Sequence, residues 1–263
     1  MYIDTNQSPW YDRMWGAFIF FTRLPFWRIY QPSKDSYKAV VEFWPLTGWL
    51  TGGLMAAALY MGSMCFPHII AVLMAITVRL LVTGALHEDG LADFFDGFGG
   101  GTDRGRILAI MKDSHIGTFG VLALILYAFL LAATLFSMPP MPACLAIIAA
   151  DPYAKMLSAG LITLPYARSE EEAKAKTVYR RLGWKAVFGL AMQGLLPMAL
   201  LMYNLHCTIY EAIPILLVPS LVMLLLYRYI RHRLQGYTGD CCGAVCLMVE
   251  LATLLVICSQ YSI

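Results

Sequence analysis

Residues 87 to 97 read His87-Glu88-Asp89-Gly90-Leu91-Ala92-Asp93-Phe94-Phe95-Asp96-Gly97, with three aspartates at i, i+4 and i+7. On a helix turning about 100° per residue these carboxylates fall within about 60° of one another, so they project from one face toward one point. Converging anions need a counter-charge. A hard divalent cation such as Mg²⁺ supplies it best, because it prefers carboxylate oxygens and keeps positions open for water or phosphate oxygens. A solvated acidic helix end is the plainer alternative, but such an end seldom interleaves its acids with Gly, Ala, Leu and Phe. Asp89, Asp93 and Asp96 are therefore the expected metal ligands.

The segment up to Ile116 reads as a polar, glycine-rich loop. It contains Gly97, Gly99, Gly100, Gly101 and Gly105, then Arg104, Arg106, Lys112 and Asp113. Glycines let backbone N–H groups approach a phosphate, and the basic side chains can pair with its oxygens; a flexible connector is the competing reading. Asp113 is a candidate general base or further ligand. A second polar cluster, Gly236 to Ala244, precedes the last apolar stretch. Thr238, Gly239 and Asp240 there could bind an anion at a helix N-terminus, or Thr238 could simply cap it. Charges also lie inside apolar stretches. Lys155 has Asp151 at i−4 for a structural pair. Arg79 has no acid in its own stretch, and either reaches the carboxylates or meets a bound anion. Glu250 must face a partner or an aqueous cavity.

The elements that hold these groups are membrane helices. The chain has 263 residues, 59% hydrophobic and 14% charged, against about 25% charged in an average soluble domain. Apolar stretches near 43–62, 69–86, 117–137, 143–164, 186–205, 212–230 and 243–262 have the roughly 20 residues that a bilayer span needs. The expected fold is an all-α polytopic bundle of about seven spans, a single domain over 1–263, with an interfacial helix near Met14 to Trp27. Seventeen of the 19 Lys and Arg residues fall on one side of these spans, including Lys174, Lys176, Arg180, Arg181 and Lys185. By the positive-inside rule that side, with the N-terminus and the active-site loops, faces the cytoplasm. The first twelve residues are polar, and no cleavable signal is expected. Seven cysteines form no CxxC pair, so neither a zinc site nor a disulfide framework is expected. A net charge of +2 gives no reason to expect nucleic acid as a partner, although the basic face favours anionic lipid.

Taken together, these segments resemble the cobalamin synthase family. His87 to Gly97 is similar to its HxDGLADxxDG signature. The similarity continues through Arg104, Lys112-Asp113-Ser114 and Gly117-Thr118-Phe119-Gly120. Phe20 to Pro25 resembles its FFTRLP segment, Phe43 to Gly48 its FPLxG, and Gly236 to Ala244 its GxTGDxxGA. The resemblance implies a bacterial inner-membrane transferase that joins adenosylcobinamide-GDP to alpha-ribazole or its 5'-phosphate, releases GMP and requires Mg²⁺. It would assign the metal to Asp89, Asp93 and Asp96. Leaving-nucleotide contacts would fall to Arg104, Arg106 and Lys112, and the hydroxyl proton to Asp113; His87 matches the family's leading histidine, whose role the motif does not give. From the residues themselves, Asp89 and His87 join Asp113 as catalytic candidates, and Thr238, Gly239, Asp240 and Arg79 are candidate phosphate contacts. A homo-oligomer is possible in such a family. The chain departs from the pattern at Ala150-Asp151, where a Ser-Arg pair is expected, and at Ser169 to Glu172, which replace a glycine-containing turn. CDP-alcohol phosphotransferases share the Asp93-to-Gly97 DxxDG core, but Phe98-Gly99-Gly100-Gly101 does not continue their pattern. A divalent-cation transporter would place its carboxylates near mid-membrane.

Overall fold

The computed structural model describes residues 8–168 and 178–261. Among them are ten α-helices: α1 (Trp10–Phe21), α2 (Trp44–Cys65), α3 (His68–Thr83), α4 (Leu86–Gly100), α5 (Arg104–Lys112), α6 (Thr118–Phe136), α7 (Pro140–Ser158), α8 (Trp184–Asn204), α9 (Ile209–Leu234) and α10 (Gly239–Ser259). Two 3-10 turns, Phe26–Arg28 and Lys34–Phe43, join α1 to α2, and a third, Ala159–Thr163, extends α7. The chain is a polytopic all-α membrane bundle.

The expected seven spans become five, or six. Five helices, α6 to α10, are long and apolar enough to cross a bilayer, and α3 with α4 forms one further candidate that is bent by 89°. Helix α3 has 16 residues, about 24 Å at 1.5 Å per residue, short of a 30 Å hydrocarbon core. It ends at Gly84, φ +64°, and Ala85 is also left-handed at φ +55°, which turns the chain into α4. The 22-residue α2 has the length, but Thr47, Gly48, Thr51 and Gly52 dilute its apolar character. All four are buried; a Cβ at Gly48 would lie 2.8 Å from the Pro152 backbone nitrogen and one at Gly52 3.1 Å from the Ile147 carbonyl, so this face meets α7 at backbone distance.

Helices α7 and α10 form the centre, with 72% and 67% of their apolar windows buried, whereas α9 is only 17% buried. Leu217, Leu221, Leu224 and Leu225 of α9 and Phe129 and Leu130 of α6 are exposed, the pattern of lipid-facing helices. The interfacial helix starts earlier than expected, at Trp10, and ends at Phe21 because Thr22 is extended and its hydroxyl donates back to the Phe18 carbonyl at 2.6 Å.

The glycine-rich segment is not a loop. Helix α4 runs through Gly100, and α5 follows after an Asp103 cap whose carboxylate accepts from Arg106 N–H at 3.0 Å. A Cβ at Gly97 would sit 2.5 Å from Met111 Cγ, and one at Gly101 2.5 Å from Ile107 Cγ1. These glycines are contact surfaces for α5 and no phosphate cradle. Asp96 has a comparable role. Its carboxylate accepts from Gly117 N–H at 2.7 Å and Gly120 N–H at 2.8 Å, which caps the first turn of α6 from a neighbouring helix. A Cβ at Gly117 or Gly120 would fall 2.5 or 2.4 Å from that carboxylate. The motif pair DG and GTFG is thus one docking joint.

Asp96→Ala is expected to destabilise the bundle by about 1–3 kcal/mol, because two N–H groups, one buried and one half-buried, lose their acceptor. The measurement is thermal unfolding in detergent, with and without Mg²⁺, and the same decrease in Tm is expected in both. A decrease seen only in the presence of Mg²⁺ would return Asp96 to the metal site.

Candidate functional site

The third carboxylate comes from the other end of the chain. Ligand-capable oxygens of Asp89, Asp93 and Asp240 all lie within 4.8 Å of one another. Asp89 is exposed, Asp93 half-buried and Asp240 buried. Asp96 is excluded, although its helical spacing suggested convergence, because its oxygens are turned toward α6. Asp240 takes its place because α10 begins against α4: a Cβ at Gly90 would lie 2.9 Å from the Asp240 carbonyl, and one at Gly243 3.2 Å from His87 Cα. Spacing along one helix shows which side chains share a face; it does not show which of them a second helix occupies.

Two of the trio, Asp89 and Asp240, line a cavity of about 120 Å³ together with Gly239, Phe20, Phe21, Trp44, His87, Tyr166, Arg168 and Tyr179. Phe21, Trp44 and His87 form a stack, with Phe21 and Trp44 centroids 5.3 Å apart and Trp44 and His87 6.0 Å apart at 7°. Tyr179 packs edge-on against Phe20 at 6.2 Å. His87 is buried and its Nε2 has no hydrogen-bond partner, so the stacked ring closes the inner wall. Thr238 caps α10, accepting from Cys241 N–H at 3.3 Å. Gly239, with open space where a Cβ would project, leaves the first turn of α10 facing the cavity. One end is thus aromatic, and the other combines carboxylates, Arg168 and a helix N-terminus.

The other expected contacts lie elsewhere. Arg104 donates to the carbonyls of Leu234 and Ala167, both at 2.9 Å, and so ties α5 to the end of α9. Arg106 is exposed on α5, and Lys112 ends that helix. Asp113 lies on the surface, where His115 N–H and the His115 ring hold its carboxyl below the ordinary range; it does not line the cavity. Arg79 is buried in the bundle, donating to Glu250 at 2.7 Å and to the Tyr127 hydroxyl at 3.3 Å. Its partner is an acid of a distant helix, which its own stretch could not disclose. Asp151 and Lys155 form the expected pair, and Thr51 joins both. Residues 169–177, with Lys174, Lys176 and the Ser169–Glu172 departure, lie outside the described residues. Trp44, Tyr166, Arg168 and Tyr179 were not expected site residues. Trp44 lies in one of the matching motifs, whereas Tyr179 follows a stretch with no recognisable pattern.

Fold and site together define a polytopic membrane protein whose carboxylate-rimmed pocket opens at a helix end. The family model described as cobalamin-5-phosphate synthase matches residues 13–258. A relative from Ralstonia nicotianae is 37% identical over 249 residues, covering 93% of each chain. One from Leptospira interrogans is 31% identical over 255 residues, covering 93% of this chain and 94% of its own. One from Shewanella oneidensis is 34% identical over 263 residues, covering 96% and 98%. All three are named adenosylcobinamide-GDP ribazoletransferase. No solved structure matches the chain. The chain belongs to the cobalamin-5-phosphate synthase family, a family of transferases.

Arg79→Met leaves Glu250 charged and unpaired and should destabilise the bundle by about 3–5 kcal/mol, whereas Arg79→Met with Glu250→Leu should recover most of that loss. Yield and Tm after purification measure both. A double variant as damaged as the single one would give Arg79 a role beyond the pair.

Proposed function

We propose that this protein transfers the adenosylcobinamide phosphate group of adenosylcobinamide-GDP to a ribose hydroxyl of alpha-ribazole or its 5'-phosphate, releasing GMP, with Mg²⁺ held by Asp89, Asp93 and Asp240. The observation that carries this reading is the convergence of those three carboxylates at the mouth of an aromatic pocket. The donor set fits the metal: all three ligands are carboxylate oxygens, which hard cations prefer. Bound there, the ion would neutralise charge developing on the diphosphate oxygens and on the departing GMP.

The chain's own groups account for the rest. The hydroxyl oxygen forms a new bond to the phosphorus that carries cobinamide, and the bond from that phosphorus to the GMP oxygen breaks, its electrons leaving with GMP. Arg168 and the uncovered first turn of α10 offer donors to phosphate oxygens. The hydroxyl proton passes to solvent by way of the exposed Asp89. Phe20, Tyr166 and Tyr179 form apolar walls that stack a base and exclude water from the phosphorus. A cytoplasmic position of this mouth, in the bacterial inner membrane, is supported by the basic residues of the segments next to it, Arg104, Arg106, Lys112 and Arg168 among them.

GMP release from adenosylcobinamide-GDP should require acceptor and Mg²⁺ and cease with EDTA. Asp89→Asn, Asp93→Asn and Asp240→Asn should each lower the rate by about a hundredfold or more. Asp96→Asn should retain turnover at temperatures where it is folded. Wild-type rates in the Asp240 variant would contradict the assignment.

A further inference from the structure

Two adjoining hollows flank the start of α8, outside the aromatic pocket. The first is a cleft lined by Arg13, Glu42, Arg180, Arg181, Lys185 and Gln193 among others. Its described lining residues include four cations and one acid, and that acid, Glu42, is paired with Arg13. The second is a groove of about 580 Å³ whose walls include Met156 and Leu157 of α7, Ile162, Leu182, and Leu190 and Ala191 of α8. Arg181 is the one charged residue among its described lining residues, and Arg181 lines the cleft as well. The two hollows therefore meet at one guanidinium, with charge on one side of it and hydrocarbon on the other.

The surroundings narrow what can fill them. Trp184, the first residue of α8, is 77% exposed, with the Lys185 ammonium 5.7 Å from its ring centroid; an exposed Trp beside a Lys marks the level where a membrane helix leaves the hydrocarbon for the headgroup layer. Phe188, Met192, Leu195 and Leu196 continue the Trp184 side of α8 and are all exposed, as on a helix that faces lipid. Val187 is exposed too and lines the groove, so the groove borders the lipid-facing side. The cleft is preformed. Gln193 accepts from Leu46 N–H at 3.1 Å and donates to the Glu42 carbonyl at 3.1 Å, and Arg180 N–H donates to the Lys38 carbonyl at 2.6 Å, which anchors the strip that carries Arg180 and Arg181.

A water-soluble anion would satisfy the cations and make no use of the groove. A neutral lipid would fill the groove and make no use of the cations. An amphiphile with a phosphate at one end uses both. We infer that cleft and groove form one binding site for an anionic phospholipid, its phosphate held by Arg180, Arg181 and Lys185 and an acyl chain lying along the groove between α7 and α8. A general excess of basic residues near the bilayer attracts anionic lipid without choosing a place for it; the apolar groove beside Arg181 chooses the place.

The test counts lipids bound to the full chain. Purified protein in detergent is titrated with phosphatidylglycerol or phosphatidylcholine, and the complexes are resolved by native mass spectrometry. Three proteins are compared: wild type, the Arg181→Gln, Lys185→Gln double variant, and Ala191→Phe, which fills the groove, with Val187→Asn as a second groove variant should Ala191→Phe not fold. Each basic side chain beside a lipid phosphate contributes about fivefold in affinity. Wild type should therefore bind one phosphatidylglycerol about tenfold or more tighter than phosphatidylcholine, and the double variant should reduce that preference to about twofold or less. Groove filling should weaken both lipids by about tenfold. Equal affinity for the two lipids in wild type, or an unchanged preference in the double variant, would overturn the inference. Undiminished phosphatidylglycerol binding in both groove variants would overturn it as well, and displacement of the lipid by inorganic phosphate would then make the cleft a site for a soluble anion.

Discussion

A side chain at position 90 would drive its first carbon to 2.9 Å from the Asp240 carbonyl, and one at 243 would meet the backbone of His87; α4 and α10 touch without side chains between them. Everything in the pocket depends on that contact. It brings Asp240 to Asp89 and Asp93, points the first turn of α10 at the cavity and seats His87 against Trp44. Small residues permit the approach, since within a bilayer close backbone packing rather than hydrophobic exclusion draws helices together. The surrounding residues continue the theme: Cys241, Cys242, Ala244 and Cys246 of α10 are all buried.

A joint of this kind needs rigid supports, and charge supplies two of them. Arg79 of α3 and Glu250 of α10 pair inside the bundle, while Asp151 and Lys155 of α7 gather Thr51 of α2. Unpaired, any of these ions would be expensive away from water; paired, they fix which helix faces which, the use of buried ions that is best supported. A third support is Asp96, which fastens α6 to α4. Arg104, Arg168 and Arg233 donate to backbone carbonyls of Leu234, Leu108 and Gly101. Part of the basic charge therefore ties neighbouring segments together, and Arg168 does so through one terminal nitrogen only.

How much of this was legible in the residues follows from the range of each signal. Length and hydropathy announce a helical membrane protein, and i, i+4 spacing announces the Asp151–Lys155 pair, because both are local. The aspartate run announces a carboxylate site for the same reason. Its membership was not legible: Asp96 and Asp93 look equivalent along α4, and only the position of α6 separates them. The glycines from 97 to 101 read as a loop because glycine disfavours helix, yet tertiary packing against Met111 and Ile107 overrides that preference. The turn at Gly84 and Ala85 falls at the end of the apolar run, and the helix beyond it was hidden in the segment read as a loop, which is why the span expected over 69–86 proved to be the first arm of a bent pair. Arg79 could find Glu250 only across 171 positions of sequence, beyond any periodicity.

The central claim, that Asp89, Asp93 and Asp240 form one metal site because two helix backbones meet at Gly90, is tested most directly by Mn²⁺ binding followed by electron paramagnetic resonance. Wild type and Gly90→Ala are compared in the same lipid, each shown to be folded. The account expects saturable Mn²⁺ binding that Mg²⁺ displaces in wild type, and at least about tenfold weaker binding in Gly90→Ala, where α10 must move away from α4. Equal affinity in the two proteins would contradict it.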